Sequence, residues 1–299
     1  MGIAAFVLTC LILAAPGTQP VHAVKVEQDA VYGIAEGYWT EAPDHVWKSS
    51  GRLFRRRDSR RSLELKMDIY LPADDSLAAA RPLFLLLHGG SFFMGNKASR
   101  AHVEWCRYFA SLGYVAASID YRLGYPIEKP GFTRAEREAV EDAETALAYL
   151  LGRADLHIDR EQVYLAGTSA GAATVLSLAY EGHVPDCRIR AVANLWGYLH
   201  RLDVLENACI PILSFQSEQD PIVPYREGYP GHMGWLADKA YGTLAIYEKA
   251  SALGIPCEHH PCPEKRHRLQ ADSHGALTPR FYDIRDRMAS FFAAIGREM

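Results

Sequence analysis

Short, unbroken apolar runs alternate with helical patterns along most of this chain of 299 residues. Loop residues follow each run, and such runs are typical of parallel strands that are buried on both faces. An earlier segment, residues 63–71, alternates apolar and polar residues and predicts an antiparallel strand with one buried face. The chain is therefore predicted to form an α/β fold, with a mostly parallel central sheet that helices flank on both faces. The apolar runs are residues 82–87, 115–119, 163–166, 191–195 and 210–215, and the helical patterns are residues 98–112, 134–151 and 170–180.

The composition excludes several classes of protein. Hydrophobic residues make up 49% and charged residues 23% of the chain, which is typical of a globular domain with a large core and not of a disordered chain or a coiled coil. The formal net charge of −4 at pH 7 argues against a nucleic-acid partner, because phosphate backbones attract basic surfaces. No repeat, linker or composition shift marks a boundary, so residues 24–299 are predicted to form one domain.

The first 23 residues have the pattern of a secretory signal peptide. Residues 3–15 form an apolar run, and residues 21–23 read V-H-A, with small residues at the −3 and −1 positions of a cleavage site after Ala23. The run is shorter than the roughly 20 apolar residues that span a bilayer core. The pattern predicts export to the periplasm or the extracellular space, with no stable membrane span after cleavage. An uncleaved membrane anchor is the alternative.

The strongest chemical motif is a serine between a predicted strand and a predicted helix. Residues 167–171 read G-T-S-A-G and directly follow the apolar run at 163–166. A serine hydroxyl is a weak nucleophile unless a base removes its proton, and the hydroxyl must stand clear of its own backbone. A tight strand-turn-helix elbow with small neighbours meets the second requirement. Ser169 is therefore predicted to be a catalytic nucleophile; the alternative is a helix N-cap serine.

A glycine-rich segment follows another predicted strand. Residues 88–92 read H-G-G-S-F and come at the end of the apolar run 82–87. Glycines at this place let backbone N–H groups approach a ligand oxygen, which is what an oxyanion hole requires. The segment is therefore a candidate oxyanion hole, and a plain glycine turn is the alternative.

An acid and a histidine follow later predicted strands. Asp220 comes after the run that ends at residue 215, where a carboxylate can hold a histidine in the required tautomer. Glu218 is the competing acid. Among 12 histidines, His274 is predicted to be the base, because it comes after the acid, on a loop beyond the last strand and beside a glycine. His267 is the main competitor.

The order Ser169, Asp220, His274 is the order that α/β-hydrolases use. At these residues the chain resembles the α/β-hydrolase family, and in particular its carboxylesterase branch with an H-G-G motif. That branch includes hormone-sensitive-lipase-like esterases and bacterial feruloyl and acetyl esterases. Residues 120–123 (D-Y-R-L) and 158–159 (I-D) are also similar to this branch. The resemblance covers residues 24–299 as one catalytic domain, in which the short segment at 196–207 leaves room only for a short cap or none.

The resemblance implies that the backbone N–H groups of Gly90, Ser91 and Ala170 form the oxyanion hole. Ser91 stands where the family's common H-G-G-G motif has its third glycine, and its backbone N–H survives that change. Thr168 stands where many carboxylesterases have an acidic residue, which weakens assignment to that subgroup. The implied mechanism is two-step acyl transfer through a serine ester, and it requires neither a cofactor nor a metal.

The signal-peptide pattern and the resemblance together imply an exported esterase for small acyl or hydroxycinnamoyl esters, whose alcohol part is a small molecule or a polysaccharide. Aromatic residues near the predicted strand ends are candidates for substrate binding, and ordinary loop packing is the alternative. A secreted serine peptidase or amidase of the same fold is a second reading, and a non-catalytic recognition domain is a third. The aromatic candidates are Phe92, Trp196, Tyr198 and Tyr225.

Cysteines carry two further predictions. Cys187 stands two residues before Ile189 and Cys209 two residues before Pro211, so both lie at the start of predicted strands that this fold makes neighbours. A disulfide between them is therefore expected, with Cys257 as the alternative partner of Cys209. Residues 257–262 read C-E-H-H-P-C and have the residue types of a zinc site. Because a proline interrupts them and the segment fits the last strand, no metal site is predicted there.

Overall fold

The structure is a computed structural model that describes residues 22–44, 58–73, 80–124, 131–184, 186–231 and 238–297. The predicted signal peptide lies outside these ranges, except for His22 and Ala23. No helix in the described ranges is both long enough and apolar enough to cross a bilayer.

One eight-stranded sheet forms the centre of the molecule, in the order β1-β2-β4-β3-β5-β6-β7-β10. Six of these strands are parallel to one another, and β1 and β2 join one edge in antiparallel pairings. The predicted mostly parallel sheet is thus confirmed. The eight strands are β1 (Val24–Gly37), β2 (Arg61–Pro72), β3 (Arg81–Leu87), β4 (Val115–Ile119), β5 (Ile158–Thr168), β6 (Ile189–Leu195), β7 (Ile212–Ser217) and β10 (Cys257–Cys262).

Five helices and a small second sheet complete the described architecture. The helices are α1 (Arg100–Ser111), α2 (Gly131–Gly152), α3 (Ala170–Glu181), α4 (Thr243–Ala252) and α5 (Pro279–Arg297). The short strands β8 (Glu227–Gly228) and β9 (Ala240–Tyr241) pair with each other between β7 and α4. The described segment between β6 and β7 contains only a 3-10 turn, Asp203–Glu206, in agreement with a short cap.

The helices cover both faces of the sheet. Leu147 of α2, Val175 of α3 and Ile246 of α4 belong to one buried apolar cluster. Phe109 of α1 and Phe292 of α5 belong to another, where their rings lie 5.8 Å apart. The central strands β3 to β7 contribute to both clusters through alternate residues, so each of them is apolar on both faces. Because both faces are buried, the sequence of these central strands consists of unbroken apolar runs.

The first strand, β1, is an element that the sequence analysis does not predict. Its pairing with β2 shifts register between Glu27 and Ala30 and again between Val31 and Gly33. Each shift moves the following side chains to the other face of the sheet, and it therefore interrupts the period-2 pattern that marks a half-buried strand. The strand lies at the edge of the sheet, where most of its side chains are exposed or half-buried.

Candidate active site

The nucleophile elbow is a strained turn between β5 and α3. Ser169 has φ 53° and ψ −118°, a conformation that costs a non-glycine residue about 1–3 kcal/mol. Its N–H donates to the carbonyl of Leu195 at 2.9 Å, and its own carbonyl accepts from the N–H of Ala173 at 3.0 Å. These bonds tie the turn to β6 and to the first turn of α3, so the surrounding structure holds the serine in its strained backbone conformation.

The two glycines that flank the elbow are required by close backbone contacts. A Cβ atom at Gly167 would lie 2.2 Å from the carbonyl oxygen of Gly171, and a Cβ at Gly171 would lie 2.3 Å from the carbonyl oxygen of Leu87. Both distances are far below van der Waals contact. The G-x-S-x-G pattern therefore has a steric origin here: it lets α3 start directly against β3 and β5.

A row of hydrogen bonds joins Ser169 to a histidine and an aspartate. Nε2 of His267 lies 2.7 Å from Oγ of Ser169, and Nδ1 of His267 lies 2.8 Å from Oδ2 and 3.0 Å from Oδ1 of Asp220. A carboxylate only accepts hydrogen bonds, so Nδ1 carries the proton and Nε2 is left to accept from the serine hydroxyl. The predicted nucleophile and acid thus lie together around one imidazole.

The structure corrects the predicted base. His267 occupies the place where the sequence analysis predicts His274, because the chain passes Ser169 soon after leaving the sheet at the end of β10. His274 lies further on, in an exposed turn in which Oδ1 of Asp272 accepts from the N–H groups of His274 and Ala276. The neighbouring glycine, Gly275, is thus a feature of this turn and does not identify the catalytic base. The signal that would have found His267 is that it is the first histidine after the last strand.

Asp220 is held by its own loop as well as by His267. Its Oδ1 accepts from the backbone N–H groups of Ile222 at 2.8 Å and Val223 at 3.1 Å. Nε2 of the buried Gln216 lies 3.3 Å from its Oδ2. Its carboxylate is fully buried, and these donors supply hydrogen bonds to both of its oxygens. Gln216 is not among the predicted site residues, because it directly follows the apolar run at residues 210–215 and belongs to no motif.

The loop that carries the acid is tied to the loop that carries the base. Ser217 Oγ donates to the carbonyl of Glu264 and accepts from the N–H of Gln219 at 3.1 Å. The N–H of Glu218 donates to the carbonyl of Cys262 at 3.0 Å. Asp220 and His267 are therefore positioned together by contacts outside the row itself.

The glycine-rich segment after β3 turns through three consecutive positive φ angles, 132° at Gly90, 52° at Ser91 and 60° at Phe92. A Cβ at Gly90 would lie 1.9 Å from the carbonyl oxygen of Met94, so only glycine fits there. Within the part of the chain that the structure describes, the N–H groups of Gly90, Ser91 and Ala170 have no acceptor. They are thus available to a bound oxygen.

The first residue of this glycine-rich segment, His88, is buried. The ring of His88 stacks on that of Tyr121 with 4.3 Å between centroids, and the Tyr121 hydroxyl donates to the carbonyl of His88 at 2.7 Å. Burial lowers the pKa of His88 to about 4, so the ring is neutral near pH 7.

The D-Y-R-L motif connects β4 to α2. Its arginine, Arg122, pairs with the buried Asp142 on α2, with 2.8 Å between Nε and Oδ1. The motif therefore has a structural role, because this ion pair holds the end of β4 against α2.

Three of the four aromatic candidates for substrate binding are buried. Trp196 is 0% exposed, Phe92 1% and Tyr198 3%, and the Tyr198 hydroxyl donates to Oε1 of Glu136 at 2.5 Å. These side chains pack in the core, which contradicts the expectation that they line an open pocket. Tyr225 is half-buried, and its role in substrate binding stays a prediction.

The expected disulfide is absent, because Cys187 and Cys209 are both free thiols. The strands after them are neighbours, as expected, but Val192 of β6 pairs with Ile212 of β7. Cys187 lies five residues before Val192, whereas Cys209 lies only three residues before Ile212, so this register does not bring the two cysteines level. The alternative partner, Cys257, is also a free thiol, and its Sγ lies 3.3 Å from Ser251 Oγ.

Comparison with known proteins agrees with this fold. Residues 67–194, somewhat under half of the chain, match the BD-FAE family model, which describes an α/β-hydrolase esterase family. The match includes the glycine-rich segment after β3 and the nucleophile elbow, and it ends within β6.

Solved α/β-hydrolases have the same fold over nearly the whole chain. Esterase 2 of Thermogutta terrifontis in its apo form is 19% identical, with a TM-score of 0.61 over 95% of this chain and 98% of the esterase. The same esterase phosphorylated by paraoxon gives a TM-score of 0.62 at 20% identity, over 95% and 98%. MGS-M1, an α/β-hydrolase from a Medee basin deep-sea metagenome library, gives 0.57 at 20% identity, over 88% and 97%.

Curated relatives align over a smaller part of the chain. The non-reducing polyketide synthase Preu3 of Preussia isomera is 31% identical over 149 residues, and the synthase ausA of Emericella nidulans is 30% identical over 172 residues. These alignments cover 48% and 56% of this chain but only 5% and 6% of the synthases. The chain therefore has the fold of the solved α/β-hydrolases, and its residues 67–194 are similar to the BD-FAE esterase family.

Proposed function

We propose that this protein hydrolyses carboxylic esters through a covalent acyl-enzyme on Ser169. The observation that carries the proposal is the row of hydrogen bonds from Ser169 Oγ through His267 to Asp220, with distances of 2.7 Å and 2.8 Å. Nucleophile, base and acid are connected in the order that acyl transfer requires.

In the first step, Ser169 Oγ attacks the ester carbonyl carbon while Nε2 of His267 takes the hydroxyl proton. The imidazolium that forms is stabilised by Asp220, which already accepts its Nδ1–H. His267 then gives the proton to the departing alcohol oxygen, and the acyl group stays on Ser169. In the second step, His267 takes a proton from a water molecule that attacks the acyl carbon. His267 then returns this proton to Ser169 Oγ as the bond between the acyl carbon and Oγ breaks and the acid is released.

The negative oxygen of each tetrahedral intermediate is bound by backbone donors. The N–H groups of Gly90, Ser91 and Ala170, which have no acceptor among the described residues, lie just after β3 and at the start of α3. They are fixed by the strained turn at residues 90–92 and by the helix start, so no reorganisation is needed as charge develops. Such donors typically contribute a factor of about 10² to 10³ each to kcat.

The proposed substrates are esters of small acyl or hydroxycinnamoyl groups, carried on a small molecule or a polysaccharide. The short segment between β6 and β7 supports this, because it offers no large lid for long acyl chains. Structures of T. terrifontis esterase 2, which shares the fold, have propionate and butyrate bound. The site as proposed uses no cofactor.

The proposed location is outside the cytoplasm, with residues 24–299 as the catalytic domain after removal of residues 1–23. The apolar run and the small residues before Val24 support this proposal. N-terminal sequencing of the protein recovered from the periplasm or medium should begin at Val24. A full-length protein retained in the membrane fraction would contradict it.

The activity is tested with p-nitrophenyl acetate, butyrate and decanoate, on the purified protein and its Ser169→Ala variant. We expect short-chain hydrolysis that falls by a factor of about 10⁴ to 10⁶ in the variant. Activity retained by Ser169→Ala would contradict the nucleophile. A folded wild-type protein that cleaves none of the three esters but cleaves amide substrates would show a peptidase or amidase instead.

A further inference from the structure

Gln216 of β7 lies at the centre of a buried row of hydrogen bonds that ends at the acid. Its side chain is 0% exposed, and its Nε2 lies 2.9 Å from the carbonyl oxygen of Val223 as well as 3.3 Å from Oδ2 of Asp220. Both partners only accept hydrogen bonds, so the amide nitrogen must face them. The orientation of the Gln216 side chain is thereby determined.

The other end of the amide faces α4. Its Oε1 accepts from the backbone N–H of Thr243 at 3.1 Å and from the Thr243 hydroxyl at 2.8 Å. Thr243 is the first residue of α4 and is also 0% exposed. Gln216 therefore satisfies one of the N–H groups that every helix start leaves without a partner in the helix.

The row continues to His259 on β10. Thr243 Oγ lies 3.1 Å from Nε2 of His259, and because the hydroxyl proton is already given to Gln216, the hydroxyl accepts here and His259 donates. The hydrogen bonds thus run in one direction, from His259 through Thr243 and Gln216 to Asp220. Strand β7, helix α4 and strand β10 each contribute one link.

We infer that Gln216 is the positioning residue of the acid: anchored by Thr243 and His259, it holds the Asp220 carboxylate and its loop in the orientation that His267 needs. This inference rests on the proposed function, and it adds a residue that touches neither substrate nor the reacting atoms. Gln216 acts on both sides of the acid, because it binds the carboxylate itself and the carbonyl of Val223 at the far end of the Asp220 loop.

The charge balance around the row gives the inference a specific readout. Without the Gln216 donor, the Asp220 carboxylate would hold the His267 imidazolium more tightly and raise the pKa of His267. Other ionisable groups near the row include Tyr225 and Tyr247, whose rings lie 5.5 Å and 5.3 Å from that of His259, and His260 and Glu248, whose charges act on His259. Burial lowers the pKa of His259 to about 4, so His259 stays neutral across the range in which a histidine base titrates.

The test compares kcat, KM and the pH profile of kcat/KM for the wild type, Gln216→Leu and Gln216→Glu. We expect kcat to fall on the order of tenfold with KM unchanged, since a hydrogen bond to a buried charge is lost. The acid limb of the profile should move to higher pH, and further in Gln216→Glu, which adds a negative charge beside Asp220. Gln162→Leu is the matched control, because Gln162 also donates to an aspartate, Asp159, but at the amino end of β5.

A folded Gln216→Leu protein with the wild-type kcat and acid limb would overturn the inference. If neither Gln216 variant folds, the inference is tested with Thr243→Val and Thr243→Ser. An acid limb that is shifted in Thr243→Val and returns to its wild-type position in Thr243→Ser supports the inference. An acid limb that is shifted in neither variant overturns the inference. NMR titration of the His267 ring in wild type and Gln216→Leu needs no activity. A raised His267 pKa in a protein that hydrolyses no ester would uphold the inference and reject the proposed function, whereas an unchanged pKa would reject the inference.

Discussion

His267 and Ser169 are 98 residues apart in the chain, yet Nε2 of the one lies 2.7 Å from Oγ of the other. The contact forms because β5 and β10 end at the same edge of the sheet, with β6 and β7 between them. In an open α/β sheet this carboxyl edge is where residues from separate strands meet. The site is thus a consequence of strand order, and each member comes from the end of a different strand.

Replacing the two candidate bases separates them directly. We expect His267→Ala to lower kcat by a factor of about 10⁴ to 10⁶, because the serine loses its proton acceptor. His274→Ala should keep wild-type kinetics, since that side chain is exposed in a turn away from Ser169. Steady-state hydrolysis of p-nitrophenyl acetate measures both. An inactive His274→Ala protein beside an active His267→Ala protein would reverse the assignment.

A methyl group at the elbow should destabilise the fold. Gly171→Ala places a Cβ 2.3 Å from the carbonyl oxygen of Leu87, so β3 and α3 must move apart at a cost of about 1–3 kcal/mol or more. Gly152→Ala is the control, because nothing lies within 4 Å of the added methyl at the end of α2. Urea unfolding of both variants measures the difference. Equal stabilities would contradict the close contact.

The ion pair between protonated His200 and Glu136 should stabilise the folded protein at acidic and neutral pH but not at alkaline pH. Burial by itself lowers the pKa of His200, but the hydrogen bond and charge of Glu136 outweigh burial and raise it to about 9. Because the folded pKa lies above the unfolded value of about 6.5, the contribution is complete below pH 6.5 and is lost as pH rises through 9.

The measurement for this pair is the free energy of unfolding of wild type and His200→Gln between pH 6 and pH 10. The two curves should be furthest apart at pH 6 and converge towards pH 10. A difference that stays constant over this range would show that folding does not raise the pKa of His200.

The five cysteines should react with a thiol reagent as free thiols. The five in residues 24–299 are Cys106, Cys187, Cys209, Cys257 and Cys262, and none is bonded to another. Denaturation without reductant followed by thiol labelling should therefore modify all five. Labelling of only three, with peptide mapping that joins Cys187 to Cys209, would restore the disulfide that the sequence analysis predicts.

Local patterns in the sequence determined most of the fold. The apolar runs and helical patterns predict β3 to β7 and the helices α1 to α3, because burial on both faces of a parallel strand leaves a signal within a few residues. The elbow is equally local, since the contacts that exclude a Cβ at Gly167 arise within five residues of chain. Ser169 and Asp220 could be selected from the sequence because each follows its own strand.

The tertiary structure alone decided which histidine meets Ser169, which aromatic side chains are buried and whether two cysteines are level. His267 and His274 both follow the last strand, and only the path of the chain after β10 brings one of them to the serine. Trp196 follows its strand as a loop residue would, yet it packs in the core. The link from Gln216 through Thr243 to His259 joins three elements that are distant in sequence. No local pattern carries such distances, because they depend on strand order and register.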